Sequence, residues 1–409
     1  MQIKIAKTVL TLYPLFPVLV YFSVLTGRPP VWVSLIIAFI PMATHYWSTH
    51  RLITRTSFDI PILIFLCGTM LGFIVAPDKN IAIGALYSTI ASILVYFGIT
   101  TNSGASRKYW LWTGGIICLI TLLLSLWFLS HSTHRVLPFN QWAFNLFSGL
   151  PKTSGPVLQL NTIGALLAVV IPPLFAVSFF KNRVSLRIIA LILCLFFTTM
   201  LFLSDSGAGW LAVAVSLVFI MICWRKWLIW VLAPVGGLLA GAAVLFYDKT
   251  QWLRISFSTA SLMSRLKLWQ NTLPLLKGKA SVTGLGLGSW FKVYSSNYTG
   301  YVPVIVHNSY LQLYCDTGIF GLIAMVLAAI IFIRLSIHLL KLSPRNSVNW
   351  IGIGLIGSII AGAIFAMFDV TTSVTYVTNT GYIYLVLPLL WIGAALLSVV
   401  SGKLSSTSS

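Results

Sequence analysis

The 409-residue chain contains no glutamate. Its six acidic residues are all aspartates, and charged residues of both signs make up only 8% of it. A soluble domain carries roughly 25% charged residues, so this scarcity excludes an ordinary soluble fold. The acids are scattered as well as few: Asp59, Asp78, Asp205, Asp248, Asp316 and Asp369. Holding Mg²⁺ calls for clustered carboxylates, and glycoside hydrolysis calls for a facing carboxyl pair; both are disfavoured here. Cysteine is equally sparse. Cys67, Cys118, Cys194, Cys223 and Cys315 lie in or beside apolar runs at spacings that suit no metal site. Their odd number argues against a disulfide framework. No metal and no cofactor is expected.

What is abundant is apolar sequence. Hydrophobic residues reach 58% and mean hydropathy is +0.96, the composition of an integral membrane protein. A helix needs about 20 apolar residues to cross a bilayer. On that scale spans are expected near 8–25, 31–47, 59–76, 80–99, 109–130, 157–180, 186–203, 207–224, 227–246, 311–333, 349–369 and 377–400. The fold class is thus an all-α polytopic membrane protein with about 12 transmembrane helices, read as a single membrane domain over 1–409. Lys4 and Lys7 precede the first run and no A-x-A-like site ends it, so that run reads as a span rather than a cleaved leader.

The formal charge of +20 would suggest a nucleic-acid partner in a soluble protein; here topology accounts for much of it, and no nucleic acid is expected. With the N-terminus inside, fifteen basic residues fall on the cytoplasmic side, from Lys4, Arg51 and Arg107 through Arg225 and Lys341 to Lys403. The short outer loops hold four: Arg28, Lys79, Arg135 and Lys152. This positive-inside bias places both termini in the cytoplasm.

Seven further cations break the pattern. Lys249, Arg254, Arg265, Lys267, Lys277, Lys279 and Lys292 lie in one outer segment, 247–306, whose single acid is Asp248. Long translocated loops escape the charge rule, so a solvated loop is one reading. The other is an anion site, because cations beside low-dielectric walls focus a field that attracts phosphate. Arginine suits it best, its planar fork donating two hydrogen bonds at once. Within SLMSRLKLWQNTLPLL, Leu262, Leu266 and Trp269 recur at helical spacing with Arg265 and Gln270 on other faces, an amphipathic helix suited to the interface. A polar stretch at 131–156, with His131, His134 and Trp142, reads as an interfacial anchor. Five of the six aspartates fall outside and only Asp59 inside, so any chemistry is expected on the outer face.

Four motifs stand out. GLGLGSW (284–290) follows no strand, so its glycines read as a tight turn where backbone meets backbone rather than as a nucleotide loop. In LSDSGAGWLA (203–212), Asp205 and Ser206 suit capping of a helix from Gly207, or a place in a site. LQLNTIGALLAVVIPP (158–173) sets Asn161 and Gly164 near a span's outer start, residues that serve helix packing or a ligand. In HNSYLQLYCDTG, a helix starting near His307 would put Tyr310, Leu311 and Tyr314 on the histidine's face and Asp316 roughly opposite. An ionisable residue at the membrane is a functional candidate; a capped interfacial turn at Asn308 is the alternative.

The order of these motifs resembles the O-antigen ligase family, which also contains O-antigen polymerases and protein O-oligosaccharyltransferases. The matching positions are Asn161/Gly164, Ser204/Trp210/Leu211, Arg265/Trp269, Gly284/Gly286/Gly288 and His307/Asn308/Tyr310/Leu311/Asp316/Gly318/Gly321, spanning roughly 155–325. The resemblance implies a GT-C-like glycosyltransferase of the bacterial inner membrane, with one long periplasmic segment between late spans. It implies transfer of a preassembled O-antigen glycan from undecaprenyl diphosphate to lipid A-core on the periplasmic face, in lipopolysaccharide biosynthesis. His307 and Arg265 occupy the family's functional positions. Where the family carries a further arginine, this chain reads Ser204-Asp205-Ser206-Gly207. A second diphosphate-binding cation would then come from Arg254 or Lys267.

Residue chemistry runs the same way. Without clustered acids, cations must stabilise a departing diphosphate, and histidine is the best base near neutral pH. The expected site is therefore His307 and Arg265 as catalytic residues, with Arg254, Lys267, Asn308, Tyr310, Asp205 and Asn161 contacting substrate. An O-antigen polymerase, joining lipid-linked repeat units, fits the same residues. A transporter or flippase for anionic lipids is a more distant alternative; inverted repeats would favour it, and none is evident.

Overall fold

A computed structural model describes residues 31–101, 107–131, 160–179, 184–204, 206–231, 234, 259–299, 305–341 and 347–369. Every regular element among these residues is helical, with no strand. Among the described residues seven α-helices precede the basic segment: α1 (Val31–Thr49), α2 (Asp59–Val75), α3 (Lys79–Thr101), α4 (Arg107–His131), α5 (Leu160–Val177), α6 (Val184–Leu203) and α7 (Gly207–Trp224). The segment itself holds α8 (Thr259–Thr272), α9 (Lys279–Thr283) and α10 (Trp290–Asn297), and then come α11 (Ser309–Lys341) and α12 (Ser347–Ala366). The expected spans at 8–25 and 377–400, and most of 227–246, lie outside the described residues.

Four helices, α3, α6, α7 and α11, are long and apolar enough to cross a membrane, and shorter apolar helices run through α1, α2, α4, α5 and α12. The span expected at 311–333 falls within α11, which breaks at Gly318, whose φ is +62° and ψ −154°. That conformation is open to glycine and costly for residues with a Cβ. A Cβ there would also collide with the Val282 carbonyl of α9. The break is therefore where the basic segment enters the bundle.

Small residues decide how close the helices come. Gly68 and Gly72, one turn apart on α2, leave room for the backbone of α11 at Thr317 and Asp316, the small-xxx-small approach common in membranes. A second contact joins α5 to α12. Pro173 has no N–H, so the carbonyl four residues earlier, Val169, loses its helical donor. The Ser358 hydroxyl of α12 donates to that carbonyl at 2.5 Å. Gly354 and Gly357, against Pro173 and Pro172, permit the approach. Ser358→Ala should lower stability in detergent by about 0.6–1.7 kcal/mol, the range for interhelical hydrogen bonds in membranes. Thermal unfolding checks it, and Pro173→Ala, which restores the N–H, should shrink the cost of losing Ser358. The pairing matters because α12 carries the candidate site at its end.

Candidate functional site

The basic segment has a core of its own, built from Leu268, Leu276, Trp290, Tyr294, Ile305, Val306 and Cys315. Polar ties cross it: Trp290 Nε1 donates to Thr272 Oγ1 at 3.2 Å and Tyr298 OH to the Asn271 carbonyl at 2.8 Å. The helix expected in 261–276 forms as α8, followed by a 3-10 turn at Leu273–Leu276. Leu268 and Thr272 are inside, whereas Leu262, Met263 and Leu266 are exposed. Leu268 packs in the segment's own core with Leu276, Trp290 and Tyr294.

The glycine motif is a backbone turn, as expected. Gly284, Gly286 and Gly288 all have positive φ (77°, 106° and 68°), and the turn lies against Cys315 and Ala76 too closely for side chains. Asp316 answers part of the puzzle in HNSYLQLYCDTG. It is buried, and its Oδ1 accepts from Gly288 N at 3.0 Å and Gln312 Nε2 at 3.1 Å. It ties the glycine turn to α11 and does not meet His307.

His307 sits elsewhere than the helical pattern implied. α11 starts at Ser309, with Asn308 as its cap: Asn308 Oδ1 accepts from Leu311 N at 2.9 Å. His307 therefore stands outside the helix, at φ +52°, a left-handed conformation uncommon for residues other than glycine. Its ring meets Asp369. Nδ1 lies 3.3 Å from Asp369 Oδ1. An ionised carboxylate can only accept, so Nδ1 is the donor in this contact, and in the neutral imidazole Nε2 then keeps its lone pair. Nε2 has no partner among the described residues.

The end of α12 is where the candidate residues converge. A helix terminus leaves its last carbonyls without intrahelical donors. Met367 N turns to Ile364 O rather than to Ala363 O, and side chains from the motif stretches supply the missing donors. Tyr310 OH donates to Ala363 O at 2.7 Å, Asn308 Nδ2 to Met367 O at 3.1 Å and Ser309 Oγ to Asp369 O at 2.8 Å. Arg265 Nη1 donates to Phe368 O at 2.6 Å. One turn along α8 from Arg265, Trp269 Nε1 donates to Val306 O at 2.9 Å. Arg265, Phe368, Asp369, His307, Val306 and Trp269 thus close a circuit. It sets a guanidinium and an imidazole beside adjacent residues 368 and 369, whose Cα atoms are ~3.8 Å apart.

Not every expected site residue joins this circuit. Lys267 is exposed and lies two residues beyond Arg265, about 200° further round the helix, so it points away from the arginine. Asn161 is with Ser206 instead: Ser206 Oγ lies 3.3 Å from Asn161 Oδ1 and also accepts from Gly209 N, capping α7. Gly164 and Gly209 pack there, matching the helix-packing reading. Arg254 and Asp205 lie outside the described residues, as do His134 and Trp142. Asp369 was noticed in the sequence only as an outer acid. Its partner is 62 residues earlier in the chain, and no local spacing signals such a pair.

The Tyr310 hydroxyl and the Asn308 amide nitrogen are both committed to the end of α12. Tyr310→Phe removes one neutral hydrogen bond, a change of about 1 kcal/mol. It should lower the unfolding temperature slightly and leave transfer within about tenfold of wild type. A larger fall in rate at unchanged stability would put the hydroxyl on substrate.

These features define an all-helical membrane protein with an arginine, a histidine and an aspartate gathered at one helix end. A family model described as O-antigen ligase matches residues 190–326, a segment that includes Arg265 and His307. The resemblance to that family is thereby shown over about a third of the chain. It supports a glycosyltransferase-like role of ligase or polymerase type in glycan assembly, acting on a lipid-linked glycan and a lipid acceptor at a membrane. No curated protein matches the chain.

Proposed function

We propose that the chain is a glycosyltransferase that moves a preassembled O-antigen glycan from undecaprenyl diphosphate to lipid A-core. The observation that carries this is the circuit joining Arg265 to His307 through Phe368 and Asp369. Arg265 is held by one N–H on a backbone carbonyl, and its other N–H groups have no partner among the described residues. They are placed to take the diphosphate oxygens, where a charge-assisted fork is strongest. Asp369 orients His307 so that Nε2 meets the acceptor hydroxyl.

In the proposed step Nε2 removes the hydroxyl proton as that oxygen bonds to the anomeric carbon. The bond from that carbon to the diphosphate oxygen breaks, and the electron pair leaves with polyprenyl diphosphate, whose charge Arg265 stabilises. The proton on His307 then passes to solvent. A second cation on the diphosphate is proposed at Arg254, since Lys267 faces away; Asn308 and Tyr310 act by holding the turn that carries His307. Asp205 and Asn161, beside the Ser206 cap, are proposed to line the acceptor side. The proposed setting is the bacterial inner membrane, in a GT-C-like fold of about twelve spans with cytoplasmic termini and a periplasmic site, and with no metal needed.

The family match equally favours an O-antigen polymerase, whose acceptor is a second lipid-linked repeat. Purified protein should be given polyprenyl-diphosphate glycan with either lipid A-core or more donor. Glycosylated lipid A-core supports the ligase and lengthened lipid-linked glycan the polymerase. Donor left unconsumed in both mixtures would reject glycosyl transfer altogether.

A further inference from the structure

Lys277 and Lys279 are exposed, and their ammonium groups have no hydrogen-bond or ion-pair partner among the described residues. The surrounding stretch 259–299 contains no acid. Lys79, by contrast, is spent on its own surroundings, donating to the Phe73 and Ile74 carbonyls at the end of α2. The position of α9 decides what the two unpartnered lysines face.

α9 lies against the break in α11, its Val282 carbonyl closing on Gly318. Val282 is 48% exposed and Ile319, the residue after that glycine, 39%. From there an exposed stripe runs down α11 through Ile323, Val326 and Ile330. On a helix this long and apolar, such a stripe faces acyl chains. The turn after α9 is level with the last turn of α2, because Leu287 N donates to Gly72 O at 2.9 Å. Exposed Met70, Ile74 and Val75 mark where that helix's apolar belt ends. Lys279 stands three residues before Val282 and shares its helical face. Cations therefore sit at the upper edge of a continuous apolar surface.

We propose that Lys277, Lys279 and Val282 form a docking surface for an anionic phospholipid of the leaflet on this side. The two ammonium groups meet the headgroup phosphate, and the acyl chains follow Val282, Ile319 and Ile323. Lysines at a membrane edge lay their stems on apolar surface and hold their charge at headgroup level. Charge complementarity selects an anionic headgroup, and the apolar stripe leading away from it selects a lipid over a free anion. The surface shares no residue with the circuit of Arg265 and His307, and the proposal stands whether or not the protein transfers glycans.

The test uses full-length protein in nanodiscs of mixed phosphatidylglycerol and phosphatidylcholine, with lipids retained after graded detergent stripping counted by native mass spectrometry. Wild type should retain phosphatidylglycerol preferentially. The K277Q/K279Q variant should lose that preference on the order of tenfold, given the attraction of individual basic residues to anionic headgroups. K341Q, a matched change at the other end of α11, should keep it, and inorganic phosphate should not displace the lipid. Equal retention by K277Q/K279Q and wild type would overturn the proposal. So would equal loss in K341Q, which would report bulk charge, or displacement by phosphate, which would report a free-anion site.

Discussion

His307→Ala is expected to bind the lipid-linked donor as wild type does and to transfer its glycan about 10²–10⁴-fold more slowly, the usual contribution of a positioned acid or base. Donor binding should survive because Arg265 takes its position from Phe368 O and Trp269 from Val306 O, neither through the imidazole. His307 occupies a left-handed backbone conformation, so His307→Gly is the useful companion: it relaxes the backbone and still lacks the base. Both variants should be equally slow. A base works only unprotonated, so the wild-type rate should rise with pH and both variants should lose that rise. If His307 instead binds phosphate as a cation, the signs reverse. Activity would then fall as pH rises, and His307→Ala would bind donor poorly.

The second large effect belongs to Arg265. One of its N–H groups is already engaged by the Phe368 carbonyl, so in the proposed step the others bind the diphosphate. Arg265→Lys keeps the charge and removes the planar fork. An ammonium that reaches the diphosphate must release Phe368, and one that stays on Phe368 presents no second donor in a fixed direction. Hydrogen bonds to charged groups contribute about 1.5–3 kcal/mol, so donor affinity should fall about ten- to hundredfold. Single-turnover rate at saturating donor should fall less. Unchanged donor affinity in Arg265→Lys would place the diphosphate elsewhere in the basic segment. Together the two variants separate holding the leaving group from moving the proton.

Features encoded by continuous or local pattern were legible before any coordinates. The apolar runs from residue 31 to 224 became helices α1 to α7 with ends close to those expected, because lipid demands length and apolarity from each segment alone. The GLGLG turn was legible for a similar reason: three alternating glycines serve close backbone approach, and Cys315 and Ala76 supply the backbone. Features created by packing were hidden. The spacing of Leu262, Leu266 and Trp269 marks an apolar face of α8 suited to the interface, while the pair buried against protein is Leu268 and Thr272. Helical spacing defines a face without saying which body covers it. His307 was assigned to a helix that begins two residues later, since Asn308 caps it. Its partner Asp369 could not be read at all: the contact joins a turn to the end of α12, 62 residues on. Likewise nothing around Pro173 announces that a serine from α12 satisfies the carbonyl it orphans.

The central claim is that basic side chains alone release a polyprenyl diphosphate while His307 deprotonates the acceptor. It is tested most directly by counting polyprenyl diphosphate released per glycan transferred, with purified protein, donor and acceptor in the presence of EDTA. The account predicts one released for each glycan transferred, at a rate indifferent to the chelator and depressed at least a hundredfold in His307→Ala. Transfer that stops with EDTA and returns with Mg²⁺, or that proceeds at the wild-type rate without the imidazole, would contradict it.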